Sequence, residues 1–212
     1  MINKSFFPNK IFYILLFLAI FGIVKLGLNL WLISIPALVL IFLTRKKEIQ
    51  FKETSKTKGD LFLSPIYGKV VSVSKTPTED VVMIKMNFWK SWGLYLPFSS
   101  EMSYLNREKG ERYYNNENYK NLSSVFRTEI ELISKRSKKC KLFFPKRIND
   151  RNPILWMKSG DRGRGAACFG YYPFGGLIVI FLPAETEILV VEGENIQAGF
   201  SVIGVIPYDG EV

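Results

Sequence analysis

Few side chains in this sequence could carry catalysis. The chain has no histidine, which removes Ser-His-Asp and Cys-His catalysis, histidine-ligated zinc and the commonest general base at neutral pH. Its two cysteines, Cys140 and Cys168, lack the spacing of a metal site and are too few for a disulfide framework. We therefore expect two reduced thiols, no metal site and no histidine-dependent enzyme.

Two glycine-centred segments are the most distinctive motifs. They are Ser64-Pro-Ile-Tyr-Gly-Lys-Val70 and Val191-Glu-Gly-Glu-Asn-Ile-Gln-Ala-Gly199. Glycine at such positions permits the positive φ angles of tight turns. By themselves, these segments predict turns beside strands and specify no chemistry.

Short β-branched and aromatic runs follow the first of these motifs and predict strands. The predicted strands cover residues 69–74, 81–86, 125–133, 142–144, 154–157, 177–182, 188–191 and 202–206. The run 177–182 is continuously apolar and should be fully buried, whereas the polar stretch 106–124 predicts a long loop. The pattern indicates a mainly β domain, either a sandwich or a flattened barrel with hairpins.

The N-terminal part of the chain predicts a membrane anchor. Residues 11–43 contain one formal charge, Lys25, and form two apolar halves, 11–24 and 31–43. Each half is shorter than the ~20 residues of a comfortable span, so two tilted helices or a re-entrant hairpin both fit. Basic residues flank both ends and place them in the cytoplasm. The alternative is a buried helical hairpin of a soluble protein.

These observations divide the chain into a membrane anchor at 1–47, a polar linker at 48–61 and a β domain at 62–212. The part beyond residue 47 is only mildly basic, with 23 lysines and arginines against 19 acidic residues. A basic cluster holds much of this surplus: Lys135, Arg136, Lys138, Lys139, Lys141, Lys146 and Arg147. Contact with anionic lipid and a simple solvated turn are equally good interpretations. Nucleic acid ranks well below lipid, because no nucleic-acid motif is present.

The order of motifs resembles that of the phosphatidylserine decarboxylase family in its short, single-domain form. The matching segments are Ser64-Pro-Ile-Tyr-Gly-Lys-Val70, Met86-Asn-Phe-Trp-Lys-Ser-Trp92, Asn116-Glu117, Gly160-Asp-Arg162, Phe174-Gly-Gly176 with Leu182-Pro183, and the turn at 193–199. The resemblance covers most of the chain, although each motif alone is weak.

The resemblance implies a chain that cleaves itself before a serine, which becomes a pyruvoyl group for decarboxylation of a lipid. It also implies an aspartate and a histidine beside that serine. Carried over by position, the aspartate is Tyr67, the histidine is Trp92 and the serine is Gly176. In a second register the serine position is Tyr171. Neither residue can form a pyruvoyl group, because glycine has no side-chain heteroatom and a phenol does not undergo the required elimination.

We therefore expect no catalytic residues and no cofactor, and we interpret the chain as an inactive relative with a binding or assembly role at the phospholipid membrane. A divergent phosphatidylserine or related phospholipid decarboxylase, processed by another route, is the alternative. Cys168 is the sulfur nearest that region, and a structural role is its favoured interpretation. A third hypothesis is a membrane-tethered domain related to lipoyl-like adaptors. Any protein partner or oligomeric state is left open.

Overall fold

A computed structural model describes Phe17 and residues 59–87, 90–109, 125, 127–146 and 152–207. The predicted anchor at 1–47, apart from Phe17, lies outside these ranges, as does the Asn116-Glu117 pair. Within the described ranges, no helix has the length and hydropathy required to cross a bilayer. All the strands given below belong to one compact unit, residues 48–88 and 92–212.

The described strands are antiparallel wherever they pair, so the mainly β prediction is confirmed. They are β1 (Gly59–Leu63), β2 (Gly68–Lys75), β3 (Glu79–Met86), β4 (Gly93–Tyr95), β5 (Ser100–Lys109), β6 (Arg127–Ser134), β7 (Lys139–Pro145), β8 (Ile154–Leu155), β9 (Arg162–Gly163), β10 (Cys168–Tyr171), β11 (Leu177–Pro183), β12 (Glu187–Ile188), β13 (Asn195–Ile196) and β14 (Val202–Pro207).

These strands form three sheets. The largest has the order β13-β2-β3-β11-β7-β6-β5-β9, and two smaller sheets have the orders β1-β14-β12 and β4-β10-β8. The sandwich or flattened-barrel form of the whole domain stays a prediction. In the large sheet, β11 pairs with β3 on one side and with β7 on the other. It is therefore flanked by strands from both the N-terminal and the C-terminal half of the chain.

Strand β11 is apolar on both faces, as its sequence predicts. Ile178, Ile180 and Leu182 are buried on one face. Leu177 and Val179 pack on the other face in a cluster that includes Met83 and Val125. A strand covered on both sides has no solvated face, which is why its sequence lacks the alternation of a half-exposed strand.

Strands β1 and β5 lie where no strand was predicted. Strand β1 begins at Gly59, inside the predicted linker, because Asp60 pairs with Ile206 of β14. Strand β5 continues to Lys109, inside the predicted loop, because its polar end pairs with β6. The pairing of backbone groups therefore decides these ends, whatever the polarity of the side chains.

Two predicted strands are shorter than expected. The strand predicted at 154–157 ends at Leu155, and the strand predicted at 188–191 is replaced by β12, Glu187–Ile188. The short strands β4, β9, β10 and β13 were also not predicted, because two to four residues are too few to show alternation. The predictions at 69–74, 81–86, 142–144, 177–182 and 202–206 are confirmed.

Truncation of a central side chain tests this account of the core. We expect Ile180→Ala to lower the free energy of unfolding by about 2–5 kcal/mol, because Ile180 is fully buried between Val82 and Leu142. The measurement is denaturant unfolding of the full chain in detergent micelles. Val191→Ala is the matched control, since Val191 is 68% exposed. Equal losses for the two variants would contradict the placement of β11.

Candidate functional site

The first glycine motif is a turn held on both sides by backbone hydrogen bonds. The Ser64 hydroxyl donates to the carbonyl of Ile66 at 2.8 Å, so the side chain closes the turn locally. The Gly199 amide donates to the Ser64 carbonyl at 2.7 Å, and the Tyr95 amide donates to the Pro65 carbonyl at 2.9 Å. The turn is therefore fixed by the last glycine motif and by β4, and the two motifs noticed in the sequence meet here.

Tyr67, at the position that the resemblance gives to an aspartate, is almost completely buried. It packs in a small cluster with Tyr95 and Ala198, and the half-buried Cys168 lies against that cluster. Gly68 follows, and a Cβ there would lie 2.4 Å from the carbonyl oxygen of Lys85. The close approach of β2 to β3 therefore requires glycine at position 68 and fixes where Tyr67 lies.

Strand β3 connects Tyr67 to the Gly175-Gly176 turn. Beyond the end of β3, the Asn87 amide donates to the Tyr67 carbonyl at 2.9 Å. The Met86 amide donates to the Gly176 carbonyl at 2.8 Å. Two successive amides thus bind the two segments, and the structure brings these two predicted site positions to the same end of β3.

Trp92, at the position that the resemblance gives to a histidine, is joined to the same region through Tyr172. The Tyr172 amide donates to the Trp92 carbonyl at 2.8 Å, and the Trp92 ring lies 5.1 Å from the ring of Phe174. Trp92 itself is buried. Backbone hydrogen bonds therefore connect the segments of all three predicted positions. The side chains at two of them, Tyr67 and Trp92, are aromatic, and the third position is glycine.

The Gly175-Gly176 turn is sterically demanding. Phe174 and Gly175 have positive φ angles of 64° and 76°. A Cβ on Gly176 would lie 2.4–2.6 Å from two ring carbons and the hydroxyl oxygen of Tyr172, far closer than van der Waals contact. Tyr172 is buried and packs edge-on against Phe144 at 5.7 Å. Position 176 therefore accepts no side chain unless Tyr172 moves.

The second register places Tyr171 at the serine position. Tyr171 is the last residue of β10, paired with Gly93 and Ile154, and its ring lies 6.3 Å from that of Trp156. Cys168 begins the same strand, and its thiol donates to the carbonyl of Gly170 at 3.4 Å. The two registers therefore fall at two different places, the end of β10 and the turn just before β11.

Two tyrosines of this site, Tyr95 and Tyr172, were missed by sequence reasoning. Both are among the largest fully buried side chains that the structure describes. Their spacing from the motifs gives no signal, because they approach Tyr67 and Gly176 only through the pairing of distant segments.

The remaining thiol and the basic cluster lie elsewhere. Burial raises the pKa of the Cys140 thiol far above its usual range, so Cys140 is a structural residue.

Four basic residues of the cluster are paired with carboxylates: Arg136–Asp60 at 3.3 Å, Lys138–Glu185, Lys139–Glu131 at 3.4 Å and Lys141–Glu79 at 2.9 Å. The hydrogen bond to Glu79 raises the pKa of Lys141 despite partial burial. Much of the positive charge is therefore compensated within the domain.

The described residues contain no group of acidic, cysteine or histidine side chains arranged for a metal ion. The predicted site likewise brings together aromatic rings and glycines, with Cys168 as the thiol nearest to Tyr67. These groups can pack and exclude water, and they supply no carboxylate at any of the three predicted positions.

Comparison with known proteins gives the same family as the motifs. The chain is 25% identical over 151 residues to the phosphatidylserine decarboxylase proenzyme of Syntrophus aciditrophicus, covering 68% of this chain and 70% of that protein. It is 21% identical over 151 residues to the proenzyme of Desulfotalea psychrophila, with the same shares of the two chains. The predicted relationship is confirmed. This chain is related to the phosphatidylserine decarboxylases.

A third relative matches a shorter segment of the chain with a higher sequence identity. The proenzyme of Symbiobacterium thermophilum is 39% identical over 57 residues, which are 27% of this chain and 26% of that protein. No protein-family model matches the chain, and no solved structure matches it. The relationship to the decarboxylases is therefore one of sequence over about two thirds of the chain.

The pyruvoyl group that this relationship implies requires a hydroxyl on the residue that follows the cleaved bond. Gly176 offers neither the oxygen nor the space for one, since Tyr172 lies where a side chain would begin. Gly176 and its surroundings therefore do not fit a pyruvoyl group at this position.

A double-mutant cycle tests this steric conflict. We expect Gly176→Ser to lower the free energy of unfolding by about 1–3 kcal/mol, because the new side chain must displace the Tyr172 ring. In the Tyr172→Leu background the same substitution should cost clearly less, giving a positive coupling between the two positions. Unfolding of the full chain in detergent measures all three variants. Additive losses would show that Tyr172 does not occupy the space beside Gly176.

Proposed function

We propose that this chain is a membrane-attached relative of the phosphatidylserine decarboxylases that stays a single uncleaved chain and acts by binding or assembly at the phospholipid membrane. The observation that carries this proposal is the crowding at Gly176, where the ring of Tyr172 lies 2.4 Å from the place of a Cβ. Gly176 immediately precedes β11, and Leu182-Pro183 ends that strand, in the order that the family motif requires. That order favours Gly176 as the counterpart of the processing serine.

The aromatic side chains at the other two positions support the same conclusion. Tyr67 and Trp92 are both buried, and each packs against another aromatic ring. Neither offers the carboxylate or imidazole that could activate a serine. In this proposal the frame of the decarboxylase is kept and its catalytic centre is filled by packing.

Attachment to the membrane is proposed from the sequence of residues 1–47. Residues 11–43 have the apolar length of two short spans or one re-entrant hairpin, and basic residues on both sides favour a cytoplasmic β domain. The proposed partner is the phospholipid bilayer, including anionic lipid, and not nucleic acid.

A divergent phospholipid decarboxylase is the second candidate function, and one contact favours it. Cys168 lies against the cluster that contains Tyr67, and its thiol could replace a serine hydroxyl in an attack on the preceding carbonyl. The Cys168 side chain is half-buried and donates to the Gly170 carbonyl. The attack would break the Ala167–Cys168 peptide bond and form a thioester with a free amine on residue 168. Elimination would release the sulfur with Ala167 as a thiocarboxylic acid, and water would convert the remaining imine to a pyruvoyl group and ammonia.

The mass of the purified protein separates the two candidates. We expect one intact chain of 24.4 kDa after expression and storage, because no serine stands at either register. Intact-protein mass spectrometry is the measurement, with the Syntrophus aciditrophicus proenzyme expressed in parallel as the control for processing. Two fragments divided anywhere between residues 167 and 177 would contradict the proposal. Loss of that division in Cys168→Ala would then favour the second candidate.

Removal of the N-terminal segment tests the attachment. We expect a chain lacking residues 1–47 to leave the membrane fraction in high salt, because the removed segment contains the proposed anchoring length. Flotation of vesicles through a density gradient is the measurement, and the full chain under the same conditions is the control. A truncated chain that still floats with vesicles in high salt would show that the anchor lies in the β domain.

A further inference from the structure

An aromatic surface lies at one end of the β4-β10-β8 sheet. It consists of Ile154, Trp156, Tyr171 and Phe174. Ile154, Trp156 and Phe174 are 44%, 41% and 51% exposed, and Tyr171 is half-buried. Scattered exposed apolar residues are ordinary, but large side chains gathered at one place often mark an interaction surface.

Strand pairing gathers these side chains. Ile154 pairs directly with Tyr171, and the Trp156 ring lies 6.3 Å from the Tyr171 ring. Phe174 follows three residues after Tyr171 and lies against Trp92, whose neighbour Gly93 pairs with Tyr171. The aromatic surface therefore adjoins the predicted site, and positive φ at Phe174 is part of the turn that presents this ring.

Basic residues follow closely in sequence after Trp156 of the aromatic surface. Lys158, Arg162 and Arg164 are exposed in the segment that contains β9, and Asp161 is the one acidic residue in the sequence between positions 152 and 172. Arg162 also binds Glu101 at 2.7 Å. Tryptophan and tyrosine favour the boundary between hydrocarbon and headgroups, and nearby lysine and arginine are attracted by anionic lipid. The surface therefore has the chemistry of a bilayer interface.

The basic cluster of the β6–β7 hairpin lies at the other end of β11 from this surface. Lys138 of that hairpin pairs with Glu185, just beyond the end of β11, whereas Phe174 lies just before its start. The seven residues of β11 separate these two ends by about 20 Å at ~3.3 Å per residue. Since the hairpin charges are also paired with carboxylates, the observations favour the aromatic surface as the contact.

We propose that the aromatic surface of Ile154, Trp156, Tyr171 and Phe174 lies in the headgroup region of an anionic phospholipid bilayer and orients the β domain on the membrane. This inference rests on the proposed membrane attachment and adds the face that meets the lipid. Contact through this face places the Trp92 and Gly176 region at the bilayer, and the β6–β7 hairpin lies at the far end of β11.

Quenching by brominated lipid tests the orientation in the full chain. The protein is reconstituted in vesicles of equal parts phosphatidylcholine and phosphatidylglycerol, with or without bromine on the acyl chains. The chain has four tryptophans, one of which is Trp156. We expect brominated lipid to quench wild-type emission and Trp156→Phe to lose a measurable share of the quenched emission.

The control variant moves the tryptophan to an exposed position elsewhere. In Trp156→Phe with Val191→Trp, the new ring stands on the 191–194 turn, whose Gly193 amide binds the carbonyl of Val70. In this double variant we expect the total tryptophan emission to return to the wild-type level. The part of the emission that brominated lipid quenches should stay as low as in Trp156→Phe alone. Lys135→Glu in the β6–β7 hairpin should leave the quenching of Trp156 unchanged. Circular dichroism of each variant checks that the fold is retained.

Each other outcome overturns the inference in a recognisable way. If the chain floats with the vesicles and Trp156→Phe leaves the quenched share unchanged, attachment stands and the aromatic surface does not meet lipid. If Trp156 is quenched only at low ratios of protein to lipid, a second copy of the chain competes for the surface. If the full chain does not float with vesicles, the proposed attachment itself fails.

Discussion

The pairing of β3 with β2 on one side and β11 on the other is the constraint on which the site depends. Glycine at position 68 allows β2 to lie close to β3, because a Cβ there would be only 2.4 Å from the carbonyl oxygen of Lys85. At the end of β3, the Met86 amide donates to the Gly176 carbonyl and the Asn87 amide donates to the Tyr67 carbonyl. Backbone amides buried at such a junction must be satisfied, so the two loops are fixed in position whatever side chains they carry. The backbone at this junction is therefore held by hydrogen bonds that do not involve the side chains at positions 67 and 176.

The side chains that fill this part of the domain are mainly aromatic, and their burial has a simple physical reason. A carboxylate or imidazole is stable when buried only with hydrogen-bond partners, whereas tyrosine and tryptophan gain from the burial of large apolar rings. Tyr172, packed edge-on against Phe144, occupies the place where a side chain at Gly176 would begin. Glycine at 176 and tyrosine at 172 are therefore complementary, and the phenol of Tyr172 is as much a part of the site as any position that the motif identifies.

Charge and aromatic character are distributed to different ends of the domain. The basic hairpin is largely compensated by Asp60, Glu79, Glu131 and Glu185, so a positive run in the sequence becomes a set of ion pairs in the fold. Exposed pairs of this kind contribute little stability each, but they reduce the field that an anionic surface would meet. The exposed rings of Trp156 and Phe174 lie beyond the other end of β11, beside the predicted site.

The sequence by itself determined the β class, the buried run of β11 and the relationship to the decarboxylases. Apolar periodicity and ordered motifs are local properties, and they survive without knowledge of the fold. It also identified Tyr67, Trp92 and Gly176 as the positions to inspect. Strands β1 and β5 were not predicted, because their polar residues are held by partners distant in the chain.

Only the tertiary structure decided what surrounds those positions. No spacing in the sequence relates Tyr172 to Gly176 as a steric pair, since a tight turn with positive φ at Phe174 and Gly175 folds the chain back on itself. Nor does the sequence separate the paired lysines of the β6–β7 hairpin from a lipid-binding cluster. Both distinctions depend on which groups the folded chain brings together, and contacts between distant segments are what a one-dimensional pattern does not contain.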